Sequence, residues 1–117
     1  MATPSGKGLK KRDKILREAK TRLVAAFGDK IKDVILFGSR AWGKPKPWSD
    51  YDMVVVLRGE FECDWKTIQE IRSAVNSIDW DYDVLTQTLV ISDYELEHSL
   101  RGSQPIFQNA IKNGIYA

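Results

Sequence analysis

The 117 residues carry 43% hydrophobic and 10% aromatic side chains, enough for one packed core without a disulfide or structural metal; one domain over residues 1–117 is expected, with residues 1–8 flexible. Cys63 is the only cysteine, which excludes an internal disulfide and a thiolate zinc cluster and suits a reducing compartment. No stretch approaches the ~18 apolar residues of a membrane span and the N-terminus lacks an apolar signal core, so a soluble, cytoplasmic protein without membrane partners is expected.

The net charge of +2 is unevenly placed, because residues 1–24 hold eight Lys or Arg against two Asp or Glu. Such a run is more often a solvated helix face than a binding surface, and RNA therefore ranks behind other partners. Leu16, Ala19, Leu23 and Phe27 recur at helical spacing over residues 9–27, with Gly28 as the stop. The apolar run that follows predicts a strand over residues 31–37 buried on both faces, broken by Gly38. Residues 38–49, rich in Gly, Pro and Lys, predict one helical turn after Ser39 and then a loop. A second strand is predicted over residues 50–57, with Asp50, Asp52, Val54 and Val56 on one face and Tyr51, Met53, Val55 and Leu57 on the other.

Trp65, Ile68, Ile71, Val75 and Ile78 form one helical stripe over residues 64–78. Residues 81–86 are a third strand candidate. Ser92 and Glu95 have the spacing of a capping box opening another helix, and Pro105 and Gly114 bracket a last one. No internal repeat or low-complexity segment is present.

Chemistry concentrates between Leu36 and Val56, in LFGSRAWGKPKPWSDYDMVVV. Gly38 lets the backbone turn and a ligand approach without a Cβ in the way. Ser39 stands where a helical turn begins, so its hydroxyl and the leading N–H groups suit phosphate oxygens. Asp50 and Asp52 are about 7 Å apart along one strand face, within reach of the same bound cations. Magnesium takes oxygen ligands, commonly one or two carboxylates plus substrate phosphates. A third carboxylate would complete a two-ion site for in-line displacement. Asp79, Asp81 and Asp83 are the candidates and share strand parity, so alternation does not choose among them. Asp83 is preferred because Val84 and Leu85 follow it as Met53 and Val54 follow Asp52, with Asp81 as the fallback. Arg40, Lys44 and Lys46 are read either as phosphate contacts, Arg40 foremost, or as solubility charges of the loop, and Ser49 is a further candidate to bind the nucleotide. Trp42 and Trp48 are read as loop cover before base-stacking platforms, and His98 as a surface residue.

At these residues the sequence resembles the minimal nucleotidyltransferases of the DNA polymerase β-like superfamily, whose motif runs apolar, Gly, Ser, about ten residues, Asp, apolar, Asp. Phe37, Gly38 and Ser39 followed by Asp50, Tyr51 and Asp52 match it, and DVLT and IKNGIYA resemble the tail. Tyr51 is bulkier than the usual aliphatic residue there and is read as packing. The resemblance implies an α/β fold, a small mixed β-sheet packed with helices. It implies two Mg2+ ions on Asp50, Asp52 and Asp83, with Asp83 helping to activate an acceptor hydroxyl. The implied reaction moves a nucleoside monophosphate from an NTP, ATP foremost, to that hydroxyl with release of pyrophosphate. It also implies a toxin–antitoxin setting with an all-helical partner of the HEPN class, which is either modified with AMP or neutralised by binding alone. A second copy of the chain is a further candidate partner.

Overall fold

The protein's structure is a computed structural model that describes residues 11–43 and 50–117. The expectations placed on residues 1–8 and on Lys44, Lys46, Trp48 and Ser49 lie outside the described residues. The elements are α1 (Lys11–Phe27), a 3-10 turn (Gly28–Lys30), β1 (Ile31–Phe37), α2 (Ser39–Trp42), β2 (Tyr51–Leu57) and α3 (Trp65–Tyr82). After these come β3 (Thr86–Ser92), α4 (Asp93–His98), α5 (Pro105–Asn113) and β4 (Ile115–Tyr116).

The strands form one mixed sheet in the order β3-β2-β1-β4. β1 runs antiparallel to β2 and β4, while β2 and β3 are parallel and joined through α3. A parallel pair needs such a crossover, since no tight turn can return the chain to the same end of the sheet. Side-chain alternation gives the sheet two apolar faces. One carries Val34, Leu36, Met53, Val55, Leu57 and Val90 against Ile15, Leu16, Ala19 and Leu23 of α1 and Ile71, Val75 and Ile78 of α3. The other carries Ile35, Val54, Val56 and Ile91 against Phe107 and Ala110 of α5. This second face is covered at its apolar end only, and Asp52 shares its parity.

The strand expected over residues 81–86 is not there. The helical stripe Ile71, Val75, Ile78 continues to Tyr82, which packs on the core, and α3 runs on through Asp79 and Asp81. Asp83 then caps it in the left-handed region, at φ 54 and ψ 53, a conformation that Asp and Asn tolerate better than most residues. Two hydrogen bonds consume the remaining candidates: the Thr86 hydroxyl donates to Asp79 Oδ1 at 2.8 Å, and Arg22 of α1 donates to Asp81. The third strand starts at Thr86 instead, and its alternation puts Thr86, Thr88 and Val90 toward α3 and Gln87, Leu89 and Ile91 toward α5.

Ser92 and Glu95 form the expected capping box, and Glu95 does more than cap. Its buried carboxylate accepts from the backbone N–H of Cys63 at 3.1 Å and of Ser92 at 3.2 Å, and pairs with Arg101 at 3.3 Å. Burial opposes its charge, yet the hydrogen bonds from Cys63 and Ser92 and the Arg101 charge together hold it below the usual glutamate range. The same carboxylate, after burial, helps push the Cys63 thiol up to about 12.

Two outcomes follow. Glu95→Ala strands the buried N–H of Ser92, the part-buried N–H of Cys63 and one guanidinium, and should cost about 3–5 kcal/mol in urea denaturation at neutral pH. Because the folded pKa lies below the unfolded one, this stabilisation is present above the ordinary glutamate range. It drains as pH falls through the lowered value, so wild type and variant should converge in acid. Cys63, lacking thiolate at neutral pH, should react with iodoacetamide far more slowly than free cysteine.

Candidate active site

The antiparallel register sets Phe37, the last residue of β1, opposite Asp52 of β2. Gly38 follows at φ 78, where only glycine is comfortable. A Cβ on Gly38 would lie 2.7 Å from Asp52 Oδ2, so the carboxylate rests against bare backbone. The single turn of α2 is closed by Ala41 N donating to Gly38 O at 3.0 Å and Gly43 N to Ser39 O at 2.9 Å. Arg12 of α1 donates to the carbonyls of Arg40 at 3.2 Å and Ala41 at 2.7 Å, a cation at the end where carbonyls point. Arg40 stacks over the Tyr51 ring, 4.4 Å from its centroid. Tyr51 is 2% exposed in the α1/α3 core, which agrees with its reading as a packing residue.

Asp52 shares its sheet face with Val54 and Val56, and Asp50 immediately precedes the strand. Burial, and then the negative charge of Asp50, push the Asp52 carboxyl above the usual aspartate range. Among the described residues neither aspartate makes an ion pair. Gln87 Nε2 donates to Asp50 Oδ2 at 2.9 Å, a neutral contact that leaves the repulsion uncompensated. Two carboxylates so placed, with space beside them, fit a hard divalent cation that brings the remaining oxygen ligands with a substrate.

The expectation that Asp83 completes the set is corrected. Asp83 is the exposed cap of α3, not a residue of the sheet. All sixteen Asp and Glu of the chain lie in the described residues, and there no three His, Cys, Asp or Glu side chains come together as a metal site. Beside Asp52 in the parallel register stands Gln87. Gln87 went unnoticed in the sequence, although the period-two run of residues 86–92 would have placed it on the aspartate face.

A cavity of about 450 Å3 opens from this point, lined by Phe37, Asp52, Gln87, Leu89 and Ile106 and reaching Arg72 around the outer edge of β3. Asp52, Arg72, Asn76, Thr86, Gln87 and Thr88 give it polar groups, and Phe37, Leu89 and Ile106 an apolar wall, a mix found in small-molecule sites. Ser39 is exposed at the start of α2 beside Gly38. His98 is exposed on α4 next to Tyr94 and takes no part in the site.

Gly38→Ala should cost about 1–2 kcal/mol from the positive φ alone, measured by thermal unfolding, and should displace the Asp52 carboxylate. Asp52→Asn should raise the melting temperature of the metal-free protein at neutral pH. The folded pKa of Asp52 is raised, so its ionised form destabilises the fold above that value, and the gain should vanish in acid, where both forms are neutral.

Comparison with curated proteins gives no match. Among solved structures, the chain resembles a toxin–antitoxin with AMP-PNP at a TM-score of 0.55 and 16% identity, covering 92% of this chain and 72% of the other. Two mutants of the MntA–HpeT toxin–antitoxin are similar. One carries a double Asp-to-Glu exchange, at TM-score 0.54, 16% identity and the same coverage. The other carries a Tyr-to-Ala exchange, at 0.53 and 17% identity, over 93% and 72% of the two chains. These likenesses show a shared fold. The nucleotidyltransferase domain family matches residues 13–103, most of the chain, and the protein belongs to that family as a nucleotidyltransferase.

Proposed function

We infer that the protein transfers AMP from ATP to a hydroxyl group on a partner protein, with magnesium held by Asp50 and Asp52. The observation that carries this reading is the pair of carboxylates without an ion-pair partner among the described residues, one of them lying against the backbone of Gly38 and lining a cavity. In the reaction, the acceptor oxygen bonds to the α-phosphorus, the bond to the β-phosphate bridge breaks, pyrophosphate leaves, and the hydroxyl proton passes to solvent. Magnesium supplies charge neutralisation to the polyphosphate. The chain's own part is positioning: the Gly38–Ser39 turn offers N–H and hydroxyl donors to phosphate oxygens, and Phe37, Leu89 and Ile106 give the cavity an apolar wall against which the nucleotide can rest.

ATP is favoured by the fold shared with a toxin–antitoxin that carries AMP-PNP, and the same likeness favours a toxin as acceptor, of the HEPN class by the resemblance of the motif. A second reading, neutralisation of that partner by docking with little transfer, is favoured by the absence of a third carboxylate among the described residues.

Transfer of label from α-labelled ATP to the partner should be lost in Asp50→Asn and Asp52→Asn. Unchanged transfer would overturn the assignment, and full neutralisation by the untransferring variants would select the docking reading. A hundredfold excess of Mg-ATP over its Kd adds about 2.7 kcal/mol of stability. That should lift the wild-type melting temperature by several degrees at about 2–8 °C per kcal/mol, and leave the double Asn variant unmoved.

A further inference from the structure

Gln87 occupies the one position on β3 that lies beside Asp52 in the parallel register, with its side chain on the same face as both aspartates. Its amide nitrogen donates to Asp50, and the residue lines the cavity together with Asp52. An amide offers one neutral carbonyl oxygen, where a carboxylate would offer two charged ones. It therefore adds almost nothing to the attraction for a second cation. No other group compensates: every acidic residue of the chain is described, and none joins the pair. The segments outside the description, MATPSGKGLK and KPKPWS, contain no Asp or Glu at all.

We propose that Gln87 restricts this centre to a single divalent cation per bound nucleotide and acts as a positioning residue, its amide fixing the orientation of Asp50 toward that cation. The proposal rests on the magnesium site described under Proposed function. It differs from the two-ion expectation carried by the motif, and it assigns that difference to one side chain. Two aspartates, at a formal charge of −2, balance one divalent ion, whose other ligand positions go to phosphate oxygens and water. Two ions held close together would repel strongly, and overcoming that takes further anionic ligands. Gln87→Glu supplies one, in a side chain of almost the same length at an exposed position, so the core is untouched.

The test counts ions. Mn2+ is titrated into the chain with equimolar AMP-PNP, free Mn2+ is read by electron paramagnetic resonance, and nucleotide retention is followed in parallel by dialysis. Wild type should retain one Mn2+ per nucleotide-bound chain and Gln87→Glu two. In the metal-free state Gln87→Glu should melt below wild type, because a third carboxylate now repels the pair, and Mn2+ should reverse that order. Two ions in wild type, or an unchanged count in Gln87→Glu, would overturn the role given to Gln87 while leaving the nucleotide site in place. Failure of wild type to retain AMP-PNP with Mn2+ would overturn the underlying site and this proposal together.

Discussion

Repulsion between Asp50 and Asp52 is the constraint to which this end of the molecule is built. Like charges on one strand face would separate if the backbone were free to move. Here the strand is anchored a few residues further on by Val54 and Val56, both buried under α5, and on its other face by Met53, Val55 and Leu57. The core thus holds the carboxylates together against their own electrostatics. Stability invested in the apolar half of β2 is partly spent at its polar half, a trade usual at functional sites.

The sheet edge is organised to the same end. β3 is the outermost strand, and its carbonyls at Thr88 and Val90 would face solvent or another chain's strand. Arg72 donates to the first at 3.0 Å and Arg101 to the second at 2.7 Å. Charged side chains laid along an edge in this way block strand addition. They also hold β3 in register, and the register is what sets Gln87 beside Asp52.

Much of this was legible in the residues. The apolar runs over residues 31–37 and 51–57 and the Pro and Gly around the last helix carry strong local signals, and the elements observed there match them within a residue or two. The Ser92–Glu95 box was legible because its two partners are only three residues apart. The segment from Asp79 to Thr86 was not. Its aspartates satisfy strand alternation by sequence parity, while Ile78 and Tyr82 satisfy helical spacing. The contest is settled by contacts distant in sequence, Arg22 with Asp81 and Tyr82 with the core. Strand parity alone thus sets Asp83, the cap of α3, on the sheet, and leaves Gln87 out of sight. The two-residue β4 escaped notice because so short a strand has no period of its own and exists only through its pairing with Ile35 and Leu36.

The close approach of Asp52 to Gly38 makes two positions, fourteen residues apart in the chain, share one small volume. A methyl group added at one can be accommodated only by retraction or shortening of the acid at the other. Substitutions at these sites should therefore be non-additive in their effects: shortening the acid removes the contact part of the cost of a methyl group at Gly38, and the backbone part remains.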